Sequence, residues 1–197
     1  MTREEILENV VCTLRAKSND HPDNIYKENY LDLDLLYVVK NEEMREEFIT
    51  QEQISETGIE KEELFHAAVR NSNPFWSLNI NAMVGIQTED MLPMYAIGNE
   101  KYGASVMLNY DYLGELADMF NDEGLLILPS SIYEVIVIPL EKAKELADLK
   151  GYLETIKAVN EEQCAENEVL SYNAYEYHRL EDTVKIADWG GEEKWEK

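Results

Sequence analysis

The sequence has no apolar run long enough to cross a membrane, and its first residues do not have the pattern of a secretion signal. A membrane-spanning helix needs about 18 or more consecutive apolar residues, and none of the 197 residues belongs to such a run. The chain opens MTREE, with acid where a signal peptide carries a basic segment followed by an apolar one. We therefore predict a cytoplasmic protein that does not bind membranes.

Cysteine and histidine are too few and too scattered for the common metal and redox motifs. Cys12 and Cys164 have no partner at metal-binding or disulfide-exchange spacing, and the three histidines are His21, His66 and His178. The sequence also lacks a glycine-rich phosphate loop, a His-Glu-x-x-His motif and a Gly-x-Ser-x-Gly elbow. We predict reduced thiols and no cofactor.

Basic residues are scarce, so we predict no direct binding of nucleic acid. The chain has 17 Lys and Arg against 41 Asp and Glu, a net charge of −24, and such a surface repels phosphate backbones. Solubility alone explains an acidic surface. An alternative is a nucleic-acid mimic, which requires carboxylates in rows on one face, and another is attraction to a basic partner.

The charge is unevenly distributed along the chain. Residues 64–110 hold only three acidic and two basic residues, namely Glu89, Asp90, Glu100, Arg70 and Lys101. This near-neutral segment is predicted to supply core or interface.

The hydrophobic pattern predicts an α+β fold, with a mainly antiparallel sheet of hairpins and helices packed on one face. The predicted strands are 30–39, 94–97, 104–108, 125–128 and 133–138. The predicted helices are 2–17, two pieces within 42–71 divided at Gly58, 111–120, and 141–163 with a break at Gly151. We predict one compact domain over residues 1–188 and a flexible tail over residues 189–197.

Asp32 and Asp34 are two residues apart in the first predicted strand and therefore share one face. A solvated strand face explains them. Two carboxylates on one face also suit a metal ion, so both are weak candidates for metal ligands.

The segment LPSSIYEVIVIP, residues 128–139, contains the one catalytic constellation that the sequence suggests. Glu134 shares strand parity with Ile136 and Ile138, so its carboxyl group is expected on an apolar face near the hydroxyls of Ser130 and Ser131. A buried carboxylate beside hydroxyls suits acid–base chemistry. A glutamate that reaches water and caps the turn explains the same residues.

Aromatic and basic residues are crowded near residue 175 and suggest a recognition surface. Half-buried tyrosines at a sheet edge explain the same pattern. The candidate binding residues are Tyr172, Tyr175, Tyr177, His178 and Arg179.

Five segments together resemble a bacterial family that is known only as a domain of unknown function and is widespread in gut Firmicutes. They are YLDLDLLYVV at 30–39, GIEKEELFHAAVRNSN at 58–73, YAIGNEKYGASVML at 95–108, LPSSIYEVIVIP at 128–139 and EVLSYNAYEY at 168–177. The resemblance covers about residues 25–180 and implies no reaction. The family usually has histidine where this chain has Tyr133, so if that histidine is a catalytic base, this chain lacks it.

Three functional hypotheses follow. The leading one is a non-enzymatic binding protein that meets a protein or peptide partner and exposes an aromatic patch at Tyr172, Tyr175 and Tyr177. The alternatives are a hydrolase-like enzyme centred on Ser130, Ser131 and Glu134, and an acidic nucleic-acid mimic.

Overall fold

A computed structural model describes residues 1–17, 22–40, 45–83, 92–99 and 101–190. The chain divides into two compact units, Met1–Pro74 and Phe75–Lys197. The single domain over residues 1–188 stays a prediction, and most of the predicted tail, residues 191–197, lies outside the described residues. No described helix is both long enough and apolar enough to cross a membrane.

The first unit is a four-stranded antiparallel sheet with helices. Its central strand β3 pairs with β1, β2 and β4, and α1 and α3 pack against the strands and against each other. In chain order the elements are α1 (Arg3–Asn9), β1 (Val11–Ala16), β2 (Lys27–Tyr30), β3 (Leu33–Lys40), β4 (Glu46–Phe48), α2 (Gln51–Thr57) and α3 (Lys61–Asn71).

The predicted helix over 2–17 is wrong beyond Asn9. Thr2 and Glu5 form the expected capping box, but the chain then becomes extended at Val10 and enters β1. The segment after Asn9 begins with two valines, whose branched side chains favour a strand. Pairing with β3, which places Cys12 opposite Tyr37, decides between the two structures.

The break predicted at Gly58 is confirmed. Gly58 follows α2 in the left-handed conformation (φ 62°), and its amide donates to the carbonyl of Ile54. Glycine adopts this conformation without steric cost, which is why it ends so many helices.

The second unit is a six-stranded antiparallel sheet in the order β10-β9-β7-β8-β6-β5. Strands β5 and β10 lie at its edges, and neither was predicted from the sequence. In chain order its elements are β5 (Trp76–Asn79), α4 (Ile80–Met83), β6 (Tyr95–Gly98), a 3-10 helix (Gly103–Leu108), α5 (Tyr110–Phe120), β7 (Gly124–Pro129), β8 (Glu134–Pro139), α6 (Leu140–Leu146), α7 (Leu149–Gln163), a second 3-10 helix (Glu166–Glu168), β9 (Tyr175–His178) and β10 (Thr183–Ile186).

The α+β class with antiparallel sheets is confirmed, and helices occupy both faces of the six-stranded sheet. On one face Leu126 and Ile138 pack with Tyr152 of α7. On the other face α5 places Phe120 against the ring of Tyr95, with ring centroids 5.1 Å apart. The interior strands are therefore buried on both sides, and the six residues of β7 are all buried.

The returning strand predicted at 104–108 is a buried 3-10 helix instead. The side chain of Asn99 accepts hydrogen bonds from the amides of Lys101 (3.0 Å) and Tyr102 (2.7 Å) and so turns the chain. The apolar residues that follow fill the core as helix, which hydrophobic content alone does not distinguish from a buried strand.

The break predicted at Gly151 lies three residues earlier. Helix α6 ends before Ala147, and Asp148 begins α7 by accepting a hydrogen bond from the amide of Gly151 at 2.9 Å. Gly151 is therefore inside the first turn of α7.

Candidate functional site

The turn between β7 and β8 brings two of the predicted catalytic side chains together. The hydroxyl of Ser130 donates to Oε1 of Glu134 at 3.3 Å. Ser131 shapes the turn, since its Oγ accepts from the amide of Tyr133 at 3.1 Å and its amide donates to the carbonyl of Glu134 at 3.2 Å. Glu134 is half-buried. The contact is thus a Ser130–Glu134 pair, with Ser131 in a structural role.

One segment distant in sequence, which contains Cys164 and Glu168, completes this cluster and was not predicted. The thiol of Cys164 donates to the carbonyl of Ser130 at 3.1 Å, and the hydroxyl of Tyr133 donates to Oε1 of Glu168 at 3.1 Å. Burial raises the pKa of the Cys164 thiol, and the negative charges of Glu168 and Glu134 raise it further. At neutral pH the thiol is therefore protonated, which is unfavourable for a nucleophile.

The two predicted metal ligands lie in different environments. Asp32 is in the two-residue turn between β2 and β3, where Leu31 has φ 55°. Asp34 is in β3 and only 4% exposed, with Lys27 Nζ 3.5 Å from its Oδ2. The solvated strand face expected for the pair is therefore wrong, because the strand begins at Leu33 and Asp34 is buried within it. Within the described ranges no three acidic, histidine or cysteine side chains are grouped as metal ligands.

The tyrosines near residue 175 do not form the expected exposed patch. Tyr175 and Tyr177 are fully buried, and Tyr172 is half-buried. In the register of β9 with β7, the two buried tyrosines lie opposite Ile127 and Leu125, on the face of the sheet covered by α5. Their burial removes the reason for assigning them to a recognition surface.

Tyr177 also stabilises the turn that follows β9. Its hydroxyl donates to Oδ1 of Asp182 at 2.8 Å, and its ring lies against Tyr110 with centroids 6.2 Å apart. Burial raises the pKa of Tyr177 to about 12, with the carboxylate of Asp182 adding to the effect.

His178 and Arg179 bind carboxylates of the protein itself. His178 Nε2 is 2.9 Å from Oε2 of the buried Glu176, whose other oxygen accepts from the indole N–H of Trp189. Arg179 makes two hydrogen bonds of 3.1 Å to the carboxylate of Asp118, which lower the pKa of Asp118 and raise that of Arg179. Glu176 and Trp189 were not predicted, and no sequence motif marks them.

The most exposed apolar strand of the second unit is β5, at the edge of the sheet. Trp76 and Leu78 alternate along it and share one face, and each is 41% exposed. Among the described strands β5 pairs only with β6, where Trp76 lies opposite Gly98 and Leu78 opposite Ala96.

Gly98 makes room for the tryptophan ring. A Cβ on Gly98 would be 2.5 Å from Cζ2 of Trp76 and 2.8 Å from the carbonyl oxygen of Tyr133. The exposed ring of Tyr133 belongs to the same end of the sheet. The near-neutral segment 64–110, which was predicted to supply core or interface, therefore supplies an exposed apolar edge as well as buried core residues.

Comparison with known proteins identifies a family whose function is unknown. A family model described as a family of unknown function (DUF5688) matches residues 2–179. No curated protein and no solved structure matches the chain.

Proposed function

We propose that this chain, which belongs to the DUF5688 family of unknown function, is a non-enzymatic binding protein that pairs the edge strand β5 with an extended segment of a protein partner. The observation that carries the proposal is the exposed, uncharged edge formed by Trp76 and Leu78. In keeping with the resemblance found in the sequence, we propose that the protein is bacterial, and we further propose that it acts in the cytoplasm.

The physical basis is β-strand addition. The outer side of an edge strand carries backbone N–H and C=O groups that a further strand can pair with, and natural proteins suppress such pairing with charged residues or proline on the edge. The four residues of β5, Trp-Ser-Leu-Asn, include neither. Main-chain hydrogen bonds then supply affinity, and the alternating side chains Trp76 and Leu78 supply specificity.

A peptide selection tests the proposal and does not require the partner to be identified first. Peptides enriched on the wild-type chain are counter-selected on Leu78→Lys, which places a charge on the edge, and on the matched control Leu146→Lys, which changes an exposed leucine of α6. We expect apolar, extended peptides that bind the wild type and the control and lose at least about tenfold in affinity for Leu78→Lys. Peptides that bind all three chains equally would contradict the proposal.

A second candidate function is hydrolysis with Ser130 as nucleophile and Glu134 as its base. It is supported by the 3.3 Å hydrogen bond between the two side chains, the kind of contact that nucleophile activation requires. A serine-directed fluorophosphonate probe distinguishes it. If this function holds, the wild type and Ser131→Ala are labelled and Ser130→Ala is not, whereas equal labelling of all three, or none, rejects it.

A further inference from the structure

We infer that the partner which fits β5 is a second copy of this chain, joined by antiparallel pairing of the two β5 strands around a two-fold axis at Ser77. The inference rests on the proposed function and names its partner. The two six-stranded sheets would then continue into each other through their edges.

Charge restricts where two copies can meet. Each copy carries a net charge of −24, so most surfaces bring carboxylates into contact, and such contacts oppose association. Residues 71–83, which contain β5, have no charged side chain. The strand itself therefore adds no acidic side chain to a contact between two copies.

The order of residues in β5 makes the strand complementary to itself. A two-fold interface places the same patch of both copies together. When Ser77 faces Ser77, Trp76 of each copy lies opposite Leu78 of the other, and symmetry repeats this pair. Directly opposite residues in an antiparallel pair have Cβ atoms about 4.5–5.5 Å apart. Pairing thus brings two tryptophans and two leucines, each 41% exposed in the single chain, into side-by-side contact.

A shift of the axis by one residue does not give this match. With the axis at Leu78, the two leucines face each other and each Trp76 lies opposite Ile80, the first residue of α4 rather than a strand residue. The Ser77 axis is therefore the register in which all paired apolar residues belong to β5.

Disulfide trapping tests the axis directly. In a Cys164→Ser background, Ser77→Cys places two thiols at directly opposite positions, with Cα atoms about 4.5–5.5 Å apart, within the range that a disulfide accepts. Asn79→Cys is the matched control, because its two copies are about 14 Å apart along the strands. We expect a covalent dimer on oxidation of Ser77→Cys and a monomer for Asn79→Cys. Equal trapping of both variants overturns the inferred register.

Sedimentation equilibrium tests the dimer without cross-linking. We expect the wild type and Leu146→Lys to dimerise, and the dissociation constant of the Leu78→Lys dimer to be at least about tenfold higher. The reason is that symmetry places a lysine of each copy opposite Trp76 of the other. Circular dichroism checks that each variant is folded.

Different experimental results would overturn self-pairing and edge binding. A chain that stays monomeric at every concentration and gives no Ser77→Cys cross-link overturns self-pairing, while peptides that discriminate against Leu78→Lys still support edge binding to another protein. A wild-type dimer that Leu78→Lys leaves intact overturns the β5 interface.

Discussion

At the scale of single residues, Glu28 shows how a charged side chain is held in the first unit. Its carboxylate accepts hydrogen bonds from the hydroxyls of Tyr26 (3.1 Å) and Tyr37 (3.0 Å), and its Oε2 is 2.9 Å from Lys61 Nζ. Burial raises the pKa of Tyr26 to about 12, and the charge of Glu28 adds to this. The same two causes raise the pKa of the fully buried Tyr37 well above its usual value.

These shifts predict that the protein loses stability in alkali. A tyrosine whose pKa is raised by folding keeps its proton in the folded chain after the unfolded chain has lost it, so unfolding releases protons and becomes easier as pH rises. The stabilising contribution is fully present below the unfolded pKa of about 10 and is lost between there and the folded pKa of about 12 for Tyr26 and Tyr177. Urea denaturation across this interval measures the fall.

Tyr37→Phe checks the assignment. It keeps the ring and removes one hydrogen bond to Glu28, so we expect a loss of about 1 kcal/mol at neutral pH and a smaller decline in alkali. An unchanged alkaline decline in this variant would assign the effect to other groups.

At the scale of elements, close backbone approach decides the structure around the first 3-10 helix. A Cβ on Gly103 would overlap the carbonyl oxygen of Tyr133 and lie 2.5 Å from Cα of Gly98. Because these obstacles are backbone atoms, a side-chain rearrangement does not relieve them. The glycines at positions 98 and 103 therefore allow the helix to lie against the sheet.

Gly103→Ala is expected to lower the free energy of unfolding by about 3 kcal/mol or more through overpacking. The matched control is Gly151→Ala in α7, where the nearest atom to the new Cβ is Asp148 Oδ1 at 3.4 Å and alanine favours helix by up to about 1 kcal/mol. Chemical denaturation of both variants measures the contrast, and similar stabilities would contradict the close approach.

Helix α2 depends on its N-terminal cap. Thr50 Oγ1 accepts from the amide of Gln53 at 3.2 Å, and Oε1 of Gln53 accepts from the amide of Thr50 at 2.9 Å. We expect Thr50→Ala to cost about 1 kcal/mol. Ser55→Ala, inside the same helix, removes a hydroxyl that only donates back to the carbonyl of Gln51 and should be nearly neutral. Equal losses in thermal denaturation would refute the capping role.

At the scale of the whole molecule, the net charge of −24 opposes compactness and also restricts association. With 17 basic and 41 acidic residues, ion pairs such as Arg3–Glu63 and Arg179–Asp118 leave most of the acidic residues unneutralised, and exposed pairs of this kind contribute only about 0–1 kcal/mol each. Repulsion among the excess carboxylates therefore acts over the whole molecule, and single ion pairs do not remove it.

Added salt should consequently raise the midpoint of thermal unfolding. Raising NaCl from about 10 mM to about 150 mM shortens the screening length from about 30 Å to about 8 Å, which weakens repulsion among the carboxylates more than it weakens short-range pairs. Differential scanning calorimetry measures the change, with an uncharged osmolyte as control. A midpoint that falls with salt would show that the ion pairs outweigh the repulsion.

The features that depend on local chemistry could be predicted from the order of residues. Caps and breaks at Thr2 and Gly58 were predictable because a side chain or a glycine acts on its own few residues, and the strands β6, β7 and β8 and the helix α5 were predictable from hydrophobic period. The proximity of Ser130 and Glu134 was predictable because one turn joins them.

Long-range packing determines which apolar segments become strands and which of them remain exposed. The valines after Asn9 join a strand because β3 pairs with them, and the residues after Gly103 become helix because they fill the core. Cys164 and Glu168 reach the Ser130 turn through contacts that no local pattern encodes. The exposure of Trp76 and Leu78 follows from the position of β5 at the edge of the sheet, and strand order depends on the packing of the whole unit.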